Sequence, residues 1–144
     1  MNVGDILSSK TKAVITVREE DTLETVATLL ASNRIGAVPV RDDSGDLVGI
    51  ISERDIVRAL SQDGAHAHSA RVSGYMSTNL VTCKPGDSCK AIMESMTGRR
   101  IRHLPVLADG NLVGVVSQGD VVKVRLEQSE LEKAVLQDIA IARP

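Results

Sequence analysis

The chain has 144 residues, enough for one ordinary domain or for two very small units that share a core, since an isolated unit of about 60 residues buries little surface. With 42% hydrophobic and 25% charged residues, and no apolar run near the roughly 18 residues of a membrane helix, it reads as a globular cytoplasmic chain without a membrane partner. A net charge of −2 and a single aromatic residue, Tyr75, argue against nucleic acid as a partner, because neither a broad positive field nor stacking platforms are present.

In chain order, Val3 to Leu7 suggests a short helical turn, and the β-branched run Val14 to Val17 a strand. Thr22 is placed to cap a helix whose buried face carries Leu23, Val26, Ala27 and Leu30. Two strands follow, Ala37 to Val40 and Leu47 to Ile51, joined through Asp-Asp-Ser-Gly, and a second helix starts at Ser52. Residues 63–71 lack periodicity and read as a linker.

The pattern then recurs. Val72 to Met76 resembles Val3 to Leu7. Leu80 to Cys83 predicts a strand, Ser88 a cap, and Cys89, Ile92, Met93 and Met96 a helix face. His103 to Leu107 and Leu112 to Val116 form a second hairpin around Asp-Gly, and another helix starts at Ser117. Residues 14–40 align with 80–106 at an offset of 66, and from Leu47 onward the offset is 65. The lost residue falls in the hairpin turn. Each copy thus reads β-α-β-β-α and ends in Gly-hydrophobic-hydrophobic-Ser-x-x-Asp. Beyond Arg125, Leu131, Val135 and Ile139 fall four apart and predict an amphipathic tail helix. The expected organisation is a first repeat at 1–62, the linker, a second repeat at 72–125 and a helical tail at 126–144.

Ser-x-x-Asp before an apolar run is a capping box in its own right. It also suits a nucleotide. A carboxylate one turn into a helix can accept two ribose hydroxyls, and the helix N-terminus favours a phosphate. Two matched, correctly ordered copies of hydrophobic-Pro-Val, hairpin and Gly-hydrophobic-hydrophobic-Ser-x-x-Asp resemble a tandem pair of cystathionine-β-synthase (CBS) domains over residues 1 to about 125. That resemblance implies an α/β (α+β) fold of two repeats related by a pseudo-twofold axis, with two clefts between them that hold adenosine-containing ligands such as AMP, ADP, ATP, NAD or S-adenosylmethionine.

Carried over from the family, one cleft combines Ser117 and Asp120 with Thr16, Ile35, Gly36 and Ala37. The other combines Ser52 and Asp55 with Thr82, Ile101, Arg102 and His103. Small residues opposite Asp120 leave room for a purine. Arg54 faces a phosphate in one copy only, because Gly119 stands at the matching position of the other. The resemblance implies a regulatory sensor rather than an enzyme, with no required cofactor, an adenine nucleotide as ligand, a homodimer as assembly and an unidentified regulated protein as partner. The competing reading is a structural dimerisation module whose boxes only cap helices.

Other chemistry finds little support. Cys83 and Cys89 lie on a predicted strand and an apolar helix face, where cysteine acts as a small hydrophobe. His66 and His68 lack acidic or thiol company for a metal, and no Walker A or Gly-x-Gly-x-x-Gly sequence is present. The run Arg99 to His103 is the densest positive patch, read with even weight as a solvated face or a phosphate contact.

Overall fold

The structure, a computed structural model, describes residues 1–10 and 13–142. Helix α1 (Val3–Ser9) precedes strand β1 (Val17–Arg18), helix α2 (Leu23–Asn33), strands β2 (Ala37–Arg41) and β3 (Leu47–Ser52), and helix α3 (Glu53–Asp63). Two 3₁₀ turns, Gly64–Ser69 and Val72–Gly74, lead to α4 (Cys89–Arg99), β4 (His103–Ala108), β5 (Asn111–Ser117) and the 25-residue α5 (Gln118–Ala142).

The predicted caps are in place. Thr22 Oγ1 accepts the Thr25 N–H and Ser88 Oγ the Ala91 N–H, each satisfying a donor that a helix start leaves open. Both helices end on a left-handed arginine, Arg34 at φ 53° and Arg100 at φ 54°, and the following N–H groups reach back to Leu30 and Met96. In the second hairpin Asp109 and Gly110 both have positive φ, as a two-residue turn of matching twist requires.

β1 runs parallel to β2, which is antiparallel to β3. In the second copy β4 and β5 pair alone, and the strand expected at Leu80 to Cys83 shrinks to one parallel bridge, Cys83 to Val106. The register is that of Val17 to Val40. A further rung would need an N–H at position 85, and Pro85 has none where the first copy has Glu19. The expected first strand, Val14 to Val17, is likewise shorter, with only Val17 and Arg18 in the sheet.

Two cores form rather than one shared core, and each borrows a lead-in from the other half. Val3 and Ile6 pack with Cys89, Ile92, Met96, Leu104 and Val116, while Val72 packs with Val17, Leu23, Val26, Val38 and Ile51. The backbone follows the same rule twice. Val3 and Gly4 donate to Asp87 and Pro85, as Val72 and Ser73 donate to Asp21 and Glu19. The repeated glycines make this crossing possible. A Cβ on Gly114 would sit 2.6 Å from Leu7, and one on Gly49 2.7 Å from Met76 and 3.0 Å from the Ser77 carbonyl.

Two expectations about the connections change. The segment at 63–71 is not a bare linker, because Ala67 is buried in the first core. The boundary placed at residue 125 falls inside α5, which continues unbroken from the capping box through the tail; from Leu126 to Ile141 every residue is exposed.

Candidate functional site between the repeats

At the end of β5, the Asp120 Oδ2 accepts the Ser117 N–H at 2.8 Å and the Ser117 Oγ accepts the Asp120 N–H at 3.1 Å, a complete reciprocal box. At the end of β3, the Asp55 Oδ2 accepts both the Ser52 N–H (2.8 Å) and the Ser52 hydroxyl (3.2 Å). The first helical N–H groups, on Glu53 and Gln118, go to the carbonyls of Gly36 and Arg102. Capping therefore occupies Oδ2 of each carboxylate.

Both boxes open into clefts. The larger, about 550 Å³, is lined by Ser117 and Asp120 together with Ile35, Gly36 and Ala37, and also by Lys10, Val14, Ile15 and Arg34. The smaller, about 300 Å³, holds Ser52, Arg54 and Asp55 with Ile101, Arg102 and His103, and adds Glu53, Arg58, Asn79, Val81 and Arg100. Pockets for small molecules usually span about 300–1,000 Å³, so the two sit at different points of that range. Gly36, Ala37 and His103 line both clefts, and the wall between them is tight: a Cβ on Gly36 would lie 2.8 Å from His103 Nε2.

The structure thus gathers eleven of the thirteen residues expected at the site into the two expected groups. Thr16 and Thr82 are the exceptions and line neither cleft. Ile15 and Val81 pack against the cores, and Val17 and Cys83 are buried in them. Of the basic run, Arg100, Arg102 and His103 face the smaller cleft, while Arg99 does not.

Each carboxylate already meets a cation. Lys10 Nζ lies 2.5 Å from Asp120 Oδ2, and Arg58 lies 3.3 Å from Asp55 Oδ1, one turn along the same helix. Asp120 Oδ1 has no hydrogen-bond or ion-pair partner among the described residues, whereas both oxygens of Asp55 are engaged. Burial alone would raise the Asp120 carboxyl, but its bonds to Lys10 and Ser117 outweigh that and hold it below the usual value. Burial pushes the His103 pKa down, against the opposing pull of Glu53 and Asp120. Lys10 and Arg34 against Asp120 leave the larger cleft cationic; Arg54, Arg58, Arg100 and Arg102 against Glu53 and Asp55 do the same for the smaller.

The remaining candidates lead elsewhere. Both cysteines are buried, and burial pushes the Cys83 thiol up to about 12, far from a reactive thiolate. His68 Nδ1 donates to the Ala65 carbonyl at 2.8 Å, and among the described residues no three His, Cys, Asp or Glu side chains cluster for a metal. No helix of the described residues is long and apolar enough to cross a membrane.

The fold of two repeats agrees with comparison to known proteins. The CBS domain model matches residues 3–62 and 72–127, and the chain belongs to the CBS-domain family. It is 33% identical over 118 residues to the CBS domain-containing protein YhcV of Bacillus subtilis, covering 82% of this chain and 83% of that one. It is 32% identical over 112 residues to the protein MJ1225 of Methanocaldococcus jannaschii, but spans only 39% of that protein's length. Among solved structures, the CBS-domain containing protein ATU1752 from Agrobacterium tumefaciens superposes with a TM-score of 0.82 at 41% identity, covering 86% of this chain and 92% of that one. The CBS domain pair of MJ0100, solved in complex with 5-methylthioadenosine and S-adenosyl-L-methionine, superposes at 0.79 with 27% identity, covering 89% and 98%.

Proposed function

We propose that the chain is a regulatory module that binds an adenosine-containing ligand, an adenine nucleotide such as AMP, ADP, ATP or NAD, between its repeats and passes its occupancy to a regulated protein. The observation that carries this reading is Asp120, at the first turn of α5, whose Oδ1 has no partner among the described residues and whose side chain lines a cleft of about 550 Å³ walled also by Ile35, Gly36 and Ala37. The ribose hydroxyls bind that oxygen, the purine lies against the small residues, and a phosphate meets a cationic rim. The adenosine derivatives bound by the MJ0100 pair support the same ligand class. Because the wall of Gly36, Ala37 and His103 is common to both clefts, filling one alters the packing of the other, which is the differential contact a sensor requires.

Calorimetry of the full chain with AMP, ADP, ATP, NAD and S-adenosylmethionine tests this directly. Binding to at least one of them is expected. Absence of heat at about millimolar ligand, a free energy near −4 kcal/mol, would end the proposal.

Assembly as a homodimer is the second part of the reading. Val57 and Leu60 on α3 and Val122 and Leu126 on α5 are each at least half exposed. These faces support association through the two box-capped helices, with or without a ligand. Sedimentation separates the two parts, since a dimer that no nucleotide stabilises would favour the purely structural reading.

A further inference from the structure

Lys10 ends α1 and reaches across to the other repeat. Its Nζ donates to the Val115 carbonyl at 2.8 Å and pairs with Asp120 Oδ2, which leaves one of the three ammonium protons for the cleft that Lys10 lines. The smaller cleft lacks this arrangement. Leu7 and Met76 occupy matching places against Gly114 and Gly49, and in that register the residue matching Lys10 is the neutral Asn79, which lines the smaller cleft. Asp55 is neutralised instead from its own helix, by Arg58.

We propose that Lys10 is the charge-selecting residue of the larger cleft, admitting phosphorylated adenosine ligands in preference to neutral ones. The inference rests on the reading of that cleft as an adenosine site. A ribose bound at Asp120 Oδ1 leaves the Lys10 pair at Oδ2 intact, so the remaining Lys10 proton meets a phosphate carried on the ribose. Without Lys10, the phosphate faces a half-buried, uncompensated Asp120 carboxylate, and repulsion replaces attraction. Adenosine itself brings no charge and feels neither effect.

The test is the ratio of AMP to adenosine affinity, measured by calorimetry on the full chain and on Lys10→Met and Lys10→Arg, all with Asp55→Asn to weaken the smaller cleft. AMP is expected to bind about tenfold or more tighter than adenosine when residue 10 is lysine, a preference of one charge-assisted contact. Lys10→Met should bring the ratio near unity while adenosine affinity stays within about threefold, and Lys10→Arg should retain the preference. Retained adenosine binding shows that the Lys10→Met fold is intact. A Lys10→Met chain that still prefers AMP, or a lysine chain that never did, overturns the selecting role and leaves the adenosine site standing. A chain that binds neither compound removes the site itself, and the Lys10 inference with it.

Discussion

The two clefts start from one motif and reach different chemistry. In each, a Ser-x-x-Asp box caps a helix, a carbonyl from the preceding segment takes the first helical N–H, and a glycine lets the opposite lead-in pass. The frame is common because backbone geometry demands it. What faces the frame differs: Gly36 and Ala37 stand on one side, Arg102 and His103 on the other, and the carboxylate is neutralised by Lys10 from across the interface or by Arg58 from its own helix. Duplication thus supplies two equivalent sockets, and the opposing walls make them chemically different.

The largest expected effect breaks the frame itself. At Gly49 an added side chain meets the Ser77 backbone carbonyl as well as Met76, whereas at Gly114 it meets only the movable Leu7 side chain. Gly49→Val should therefore cost about 3 kcal/mol, and Gly114→Val about half of that, in urea melts. Equal losses would mean that both lead-ins yield alike.

Next comes the ligand comparison. Asp120→Asn keeps an acceptor for the Ser117 N–H but removes the carboxylate charge, so AMP affinity should fall about ten- to hundredfold by calorimetry. Asp55→Asn should cost AMP less, because both oxygens of Asp55 are already engaged. Equal or reversed losses would overturn the ranking of the clefts.

The smallest effect concerns the wall between them. Burial lowers the His103 pKa below its unfolded value, so the unfolded chain binds more protons once pH drops below about 6.5. Stability at pH 7.5 should accordingly decline as the pH falls through 6.5 toward the folded pKa. Thermal melts of His103→Ala, which installs the residue that the first repeat carries at Ala37, should lose that part of the slope. A slope unchanged by the substitution would assign it to other groups. Asp120 contributes in a separate window: its pKa is depressed, so its share is present above about 3.8 and is lost below that.

Most of the frame could be read in the chain because it depends on local chemistry. Thr22, Ser88 and the two Ser-x-x-Asp boxes cap the helices where their spacing indicates, and Asp109-Gly110 makes the tight hairpin. The shortened strand was also encoded, in Pro85, but its effect depends on which neighbour would have received the missing N–H. Lys10 had no such local signal. It lies upstream of the clear repeat and reaches Asp120 through the crossing of the lead-ins, a tertiary event. Thr16 and Thr82 show the other side of this: they match across the copies, yet neither lines a cleft.

The crossing of the lead-ins also governs how the chain must fold. Val3 and Asp87 are bonded neighbours, so the second core closes only after a loop of more than eighty residues, and the first waits for Val72 to emerge during synthesis. Closing so long a loop draws on chain entropy that local helices do not repay, which raises contact order and slows folding. A nascent chain ending before residue 72 exposes an incomplete first core, and the second core stays open until Val3 and Ile6 meet the strands and helices of the second repeat.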